Sequence, residues 1–366
     1  MSVFYNQSIL DQLSFDFETS TFTLYNNSFP DSLSVSYIPK KETEEFELIN
    51  YEIFILENNS LIAENDIFLV HEITLKKGIG WIFPLSALES NDNNFAEKIF
   101  FNQFRFLAYQ KILEKSFFMK KEVNEKKEIF LLSDLFDSDL IIFILSKSEL
   151  TEGTNFDIKD YLPSLANHGY FYKNNHQLKY TCPKDYLVKQ FRGKNNIKIT
   201  KATNSIYQSN FVKKLYENYL KTLDHHLIRF HLLYQVIENQ ITDLFNFQFE
   251  KILIEYNDKS ITKNNFIESI GKIRNERDNI RKIVSTLNPN DGTFEKSVLI
   301  NLKRDCIEFL SHYGVEERNE LGDLIYDVRN ILVHNYRSVE DENIKLLDEI
   351  TFGFEILINY KLINSP

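Results

Sequence analysis

The chain has 366 residues, of which 43% are apolar and 26% are charged, a composition typical of a globular protein rather than a disordered or fibrous one. Acidic residues outnumber basic ones 53 to 42, and the net charge of −11 argues against a protein that binds nucleic acid over its whole surface. The excess lies in residues 1–100, which carry 16 acids and 5 bases. A nucleic-acid partner for the balanced remainder is therefore compatible with the charge.

The sequence lacks the signatures of several classes of protein. None of the ten glycines has the spacing of a dinucleotide-binding or P-loop motif. Cys182 and Cys306 stand far apart and outside any zinc-binding spacing, so we expect neither a metal nor a cofactor. The first residues lack the basic and apolar segments of a signal peptide, and the longest apolar run, Leu140–Leu145, is too short to span a membrane. We expect a cytoplasmic protein with no membrane contact.

Residues 1–200 predict a mostly antiparallel β domain. Alternating apolar and polar residues form short segments that are separated by Asn-Asn, Pro-Asp and glycine-containing turns. The predicted strands and hairpins cover residues 14–24, 32–37, 45–56, 67–75, 79–85, 129–132, 140–145 and 168–180. One helix is predicted over residues 96–121. No pattern in this region identifies a chemistry, and we interpret it as a sensing or substrate-binding domain.

Residues 172–204 form the most basic stretch, with eight lysines and arginines against one acid. Pro183 and Gly193 interrupt it, which predicts a hinge between two domains. Lys189 and Arg192 are its candidates for contacts with an RNA backbone. The alternative is that this run is simply a solvated face.

From residue 205 onwards the apolar period becomes helical and predicts an α-helical bundle over residues 205–366. The clearest series begins at Leu227 and recurs at alternating spacings of three and four residues as far as Leu244. The predicted helices cover residues 205–222, 226–247, 266–287, 295–312, 316–334 and 340–362. The expected fold class is therefore α+β, with an N-terminal β domain followed by a C-terminal helical bundle.

The most specific local pattern is Arg-Asn-Ile-Leu-Val-His-Asn-Tyr-Arg, which occupies residues 329–337. On an ideal helix Asn330, His334 and Arg337 share one face, while Arg329 and His334 are about 140° apart. The side facing the core is supplied by Leu321, Leu324, Ile325, Val328 and Leu332. The polar residues are therefore expected to project from the end of a helix, away from the core.

The spacing Arg329-Asn330-x-x-x-His334 on a late helix of a bundle resembles the Arg-x4–6-His signature of the HEPN superfamily of ribonucleases. The earlier helix, with Arg229, Phe230, Tyr234 and Glu238, is also similar to an early helix of such domains. The resemblance covers residues 205–362. A β-rich region followed by such a domain further resembles the ApeA-like anti-phage proteins.

This resemblance implies a metal-independent endoribonuclease that cleaves tRNA or other cellular RNA and leaves 2′,3′-cyclic phosphate ends. It further implies a homodimer, abortive infection as the biological role, and a phage-derived trigger. Arg329, Asn330 and His334 would be the catalytic residues, because histidine exchanges protons near neutral pH and arginine matches phosphate oxygens. Asn330 would orient His334 or bind the phosphate. Tyr336 and Arg337 would contact the RNA.

Other interpretations of the same residues stay open. An arginine and a histidine near the end of a helix are often solvated or capping residues. The bundle can therefore be a catalytically silent module for dimerisation or RNA binding. Tyr336 extends the pattern to the form found in toxins whose tyrosine is modified by a nucleotidyltransferase antitoxin, although ordinary packing is favoured for it.

Two further groups have competing explanations. Arg277 interrupts an apolar series and either contacts the RNA backbone or, as we favour, pairs with an acid such as Glu238 on a neighbouring helix. His225, His226 and His231 cluster in the sequence, but the first two point about 100° apart on a helix. We therefore favour a surface or core role for these histidines over metal binding.

Overall fold

A computed structural model describes residues 12–25, 32–38, 50–58, 64–95, 98–114, 127–138, 140–150, 156–173, 196–202, 205–223, 225–287, 289–290, 293–316, 318–334, 339 and 343–364. The chain divides into two compact units, Met1–Lys201 and Ala202–Pro366. Strands make up the framework of the first unit, and the second is helical. The predicted α+β class, with the β region first, is confirmed. No helix in these ranges is long and apolar enough to cross a membrane.

The first unit is built on two sheets. In the smaller sheet, β1 (Gln12–Asp16), β2 (Thr21–Tyr25) and β3 (Ser32–Ser36) are antiparallel neighbours. The larger sheet contains β4 (Tyr51–Glu57), β5 (Phe68–Glu72), β6 (Lys77–Pro84), β8 (Leu140–Ser146), β9 (Phe171–Tyr172) and β10 (Asn196–Ile199), in the order β10-β5-β6-β8-β4-β9. Among the described strands, two pairs are parallel: β10 with β5, and β7 (Ile129–Phe130) with β3. The prediction of a mostly antiparallel region is confirmed among the described strands.

The helices of this unit are α1 (Leu85–Glu89), α2 (Ile99–Leu113), α3 (Leu132–Leu135) and α4 (Leu162–Ala166). The segment 14–24, predicted as one stretch, is a hairpin, because the Asp16 carboxylate accepts hydrogen bonds from the Glu18 amide and the Thr19 hydroxyl and closes a turn. Of the hairpin predicted over 168–180, residues 174–180 lie outside the described ranges.

A buried histidine makes the stability of the first unit depend on pH. The His168 Nε2 donates to the Lys198 carbonyl at 2.8 Å, and burial lowers the pKa of the imidazole to about 4. The unfolded chain therefore binds this proton near pH 6.5 and the folded chain only near pH 4. Consequently the stabilisation is complete above the higher value, and about 3 kcal/mol is lost as the pH falls between the two.

We expect His168→Gln to remove this part of the pH dependence, because glutamine does not titrate. Trp81 is the only tryptophan and lies buried in the first unit, so its fluorescence reports unfolding there. Urea unfolding at several pH values should give a shallower dependence between pH 6.5 and about 4 in the variant. Parallel pH curves for the two proteins would contradict the assignment to His168.

The second unit is a bundle of seven described α-helices. They are α5 (Asn210–Lys214), α6 (His226–Asn257), α7 (Lys263–Ile273), α8 (Glu276–Ser285), α9 (Phe294–His312), α10 (Leu321–His334) and α11 (Ile344–Asn364). Helix α6 packs against α7, α8 and α11, while α10 packs against α8 and α9. The apolar core thus joins the early helix α6 and the late helix α10 through α8.

Four helix predictions in the bundle are wrong in their boundaries or continuity. The helix expected over 266–287 is two helices, because Asn275 caps α8 by accepting a hydrogen bond from the Asp278 amide at 3.3 Å. Helix α6 continues to Asn257 rather than ending at Phe247, and α10 begins at Leu321 rather than at residue 316. The predicted helix over 205–222 is a 3-10 turn, the short α5 and a π-helical turn.

The second half of α6 lies outside the buried core. No residue from Ile241 to Asn257 is buried, and large apolar side chains are exposed on this half and on α7. These side chains are Phe247, Leu253, Ile254, Tyr256 and Ile267. The buried core of the bundle therefore includes only the first half of α6 among its described residues, and this half also faces α10.

Close approach of α8 and α10 depends on a glycine. A Cβ atom at Gly322 would lie 2.7 Å from the Arg281 Cα and 3.0 Å from its amide nitrogen, so an alanine there pushes against the backbone. We expect Gly322→Ala to lower the free energy of unfolding of the bundle by about 1–3 kcal/mol. The measurement is urea unfolding followed by far-UV circular dichroism.

Gly271 in α7 provides the matched control. A Cβ atom there meets nothing within 4 Å, so Gly271→Ala should stabilise the bundle by about 0.5–1 kcal/mol through helix propensity alone. Equal effects of the two substitutions would show that the contact between α8 and α10 is not tight.

Candidate functional site

The predicted catalytic residues lie on the last two turns of α10. Arg329 and Asn330 are half-buried, whereas His334 is the last residue of the helix and is exposed. The side of α10 predicted to face the core is buried through Leu324, Ile325, Val328 and Leu332, while Leu321 is half-buried. Because α10 stays α-helical as far as His334, Arg329 and His334 point in different directions within one copy of the chain.

The guanidinium of Arg329 is held against α6. Its Cζ lies 5.4 Å from the centre of the Tyr234 ring, and its Nη2 lies 3.7 Å from the Glu238 Oε1. Its Nη1 donates to the Asn330 Oδ1 at 3.2 Å. Asn330 therefore orients Arg329 in this structure. The His334 side chain forms no hydrogen bond or ion pair with another described residue.

These contacts border an open pocket between α6 and α10, with a volume of about 330 Å³. Its lining is His231, Tyr234, Gln235, Glu238, Arg329, Leu332 and Val333, and we call it the Arg329 pocket. The four residues from α6 recur at helical spacing and share one face. A pocket of this size is near the lower end of the range for small-molecule sites.

Tyr234 lines the Arg329 pocket and is held in place by its contacts. Its hydroxyl donates to the Glu276 Oε1 at 3.0 Å, and its ring stacks on Phe230. Burial, followed by the nearby Glu276 carboxylate, raises the pKa of the phenol far above its usual value. Tyr234 therefore stays neutral and presents an aromatic face to the Arg329 guanidinium, an arrangement that attracts a cation.

Arg229, one of the residues that share in the resemblance, stabilises the fold and does not line the Arg329 pocket. It is fully buried; its Nε and Nη2 donate to the two Glu355 carboxylate oxygens at 2.7 and 2.9 Å. Its Nη1 donates to the backbone carbonyls of Leu220 and Leu223. This buried ion pair fixes the start of α6 to α11 and so positions the residues of the pocket.

Arg277 does not reach the Arg329 pocket. Its guanidinium pairs with Asp327 on α10, and the neighbouring Arg281 pairs with Asp323 on the same helix at 2.9 Å. The favoured explanation, an ion pair with an acid on a neighbouring helix, is confirmed, but the acid is Asp327 and not Glu238, which lies beside Arg329. A role of Arg277 in RNA binding stays a prediction, although its charge is already engaged between α8 and α10.

The other predicted RNA contacts cannot be placed. Tyr336, Arg337, Lys189 and Arg192 lie outside the described residues. Within the described part of the basic stretch, Lys173 pairs with Glu57 and Lys201 pairs with Asp160 at 2.8 Å. At least these two lysines therefore serve the fold of the first unit.

Sequence reasoning missed His231 as a residue of the site. It is half-buried beside Arg329, and burial followed by the Arg329 charge lowers the pKa of its imidazole. The available signal was the helical spacing of His231, Tyr234 and Glu238 along α6. In the described part of the chain, no group of three or more His, Cys, Asp or Glu side chains is arranged to hold a metal ion. Comparison with protein-family models, curated proteins and solved structures finds no match for this chain.

Proposed function

We propose that the chain is a HEPN-type, metal-independent endoribonuclease that cuts tRNA or other cellular RNA in the cytoplasm. The observation that carries the proposal is the position of Arg329. The residue that begins the Arg-x4-His pattern on α10 lies against Tyr234 and Glu238, two of the four residues of α6 that share in the resemblance. Two separate parts of the sequence pattern thus meet at one pocket.

The chemistry suits attack of a ribose 2′-hydroxyl on the adjacent phosphate. That reaction adds negative charge around phosphorus and requires proton transfer. Arg329 keeps its charge and can offer two parallel donors to phosphate oxygens. Its present partner Glu238 is nearly half exposed and 3.7 Å away, so this ion pair is weak enough for a phosphate to replace it.

A second copy of the chain completes the proposed site. Arg329 and His334 diverge within one copy, and His334 is exposed at the end of α10, where another copy can reach it. We therefore propose a homodimer through the helical unit. The first unit would sense a phage-derived trigger, and cleavage of cellular RNA would arrest the infected cell.

Incubation of the purified protein with total tRNA in EDTA tests this function. We expect products with 2′,3′-cyclic phosphate ends, and we expect these products to disappear with Arg329→Ala and with His334→Ala. Cleavage that survives both substitutions would contradict the proposed site. RNA binding that survives both, without cleavage of any RNA class, would indicate a catalytically silent module instead.

A further inference from the structure

His231 is the histidine of the Arg329 pocket, and histidine is the residue type that exchanges a proton near neutral pH. It lines the same pocket as Arg329, and its imidazole forms no hydrogen bond or ion pair with another described residue. Its ring packs edge-on against Phe230, with ring centres 6.3 Å apart, which holds the imidazole without using its nitrogens. Both nitrogens can therefore bind a ligand in the pocket.

The other lining residues are poorly suited to accept a proton. The Tyr234 hydroxyl is committed to Glu276, and its pKa is raised. Gln235 is an amide and Arg329 stays protonated, while Leu332 and Val333 are apolar. The Glu238 carboxylate lies beside the Arg329 guanidinium, and carboxylates are ordinarily much weaker bases than imidazole.

We propose that His231 is the general base of this ribonuclease, accepting the proton of the ribose 2′-hydroxyl while Arg329 of the same copy binds the adjacent phosphate. This inference rests on the proposed function. The 2′-oxygen gives its proton to a neutral imidazole nitrogen and forms a bond to phosphorus. The bond from phosphorus to the 5′-oxygen breaks, and that oxygen takes a proton from His334 of the partner subunit, which regains a proton from water. His231 then returns its proton to solvent.

The charges around His231 favour the neutral, proton-accepting form. Burial and the Arg329 cation on α10 both lower its pKa. Tyr234 and Glu238 line the same pocket from its own helix, and on α8 Glu276 is occupied by Tyr234. On α11, Glu355 is occupied by Arg229. A lowered pKa leaves the imidazole neutral at neutral pH, so the cleavage rate should rise with pH through this pKa and then level off.

The test compares full-length wild type, His231→Gln and His231→Asn on a short RNA with one cleavable linkage. We expect both variants to be slower by a factor of about 100 or more, with the acidic limb of the pH–rate profile lost. His312→Gln is the matched control, because His312 is an exposed histidine at the end of α9 and should keep full activity and the wild-type profile.

A second substrate distinguishes a general base from a general acid as the role of His231. Replacing the leaving 5′-oxygen with sulfur removes the need for a proton donor, so this substrate restores variants that lack an acid and does not restore variants that lack a base. We expect His231→Gln to remain slow on it. Restoration to the wild-type rate, or a rate within threefold of wild type on the ordinary substrate, would overturn the role of His231.

An NMR titration of the histidines tests the surroundings of His231 without an activity measurement. The His231 resonance should titrate at a higher pH in Arg329→Gln than in wild type, because the neighbouring cation is gone. If Arg329→Ala abolishes cleavage while His231→Gln does not, the proposed function stands and this inference fails. If wild type cleaves no RNA, both fail, whatever the titration shows.

Discussion

The Arg329→Ala protein is expected to cleave tRNA about 100 to 1,000 times more slowly than wild type, the usual cost of removing one group that stabilises transition-state charge. The guanidinium is the only cation lining the pocket among the described residues, so no neighbouring side chain there can replace it. Single-turnover cleavage with saturating protein measures this loss separately from a loss of binding. Arg329→Lys should recover only part of the rate, because an ammonium cannot offer two parallel donors.

Loss of activity must be distinguished from loss of fold. The contact with Glu238 is partly exposed, so Arg329→Ala should change the free energy of unfolding by no more than about 1 kcal/mol. Arg304→Ala is the matched control: this exposed arginine of α9 pairs with Asp305, and its removal should leave cleavage unchanged. Equal rates for Arg329→Ala and Arg304→Ala would remove Arg329 from the reaction.

The largest effect on stability is expected from Arg229→Met, which should destabilise the bundle by about 3–5 kcal/mol. The substitution leaves the Glu355 carboxylate buried without its partner, and it also removes the donor to the Leu220 and Leu223 carbonyls. Urea unfolding followed by far-UV circular dichroism measures the change in the helical unit. Trp81 fluorescence reports the first unit in the same samples.

The double variant Arg229→Met, Glu355→Leu tests the cause of that loss. Replacing both members of a buried ion pair by apolar residues avoids the unpaired charge, so we expect the double variant to be more stable than Arg229→Met. If the double variant is the less stable of the two, packing rather than the buried charge explains the effect of Arg229.

The architecture was largely predictable, because burial imposes period two on strands and a period near 3.6 on helices. Boundaries were less predictable, since they depend on single polar residues. Ile273 and Ile280 continue the apolar series across the break between α7 and α8, and only the cap at Asn275 marks it. In the same way, the turn at Asp16 divides residues 14–24, whose alternating pattern predicts one strand.

The site was predictable only where its residues are neighbours in the sequence. Arg329, Asn330 and His334 form a local pattern, whereas His231 enters the pocket through the packing of α6 beside α10. The same dependence on tertiary structure explains why the ion pair of Arg277 was predictable but its partner was not. Several acids were candidates for its partner, and the pairing of α8 with α10 selects Asp327.

The exposed second half of α6 has a consequence for how this protein can evolve. Substitutions at exposed positions usually change stability by less than about 0.5 kcal/mol, so the exposed positions among residues 241–257 can diverge without unfolding the bundle. The first half of the same helix carries Arg229, Tyr234 and His231 and has no such freedom. In a set of related sequences, we therefore expect one continuous helix to contain a slowly changing half and a rapidly changing half.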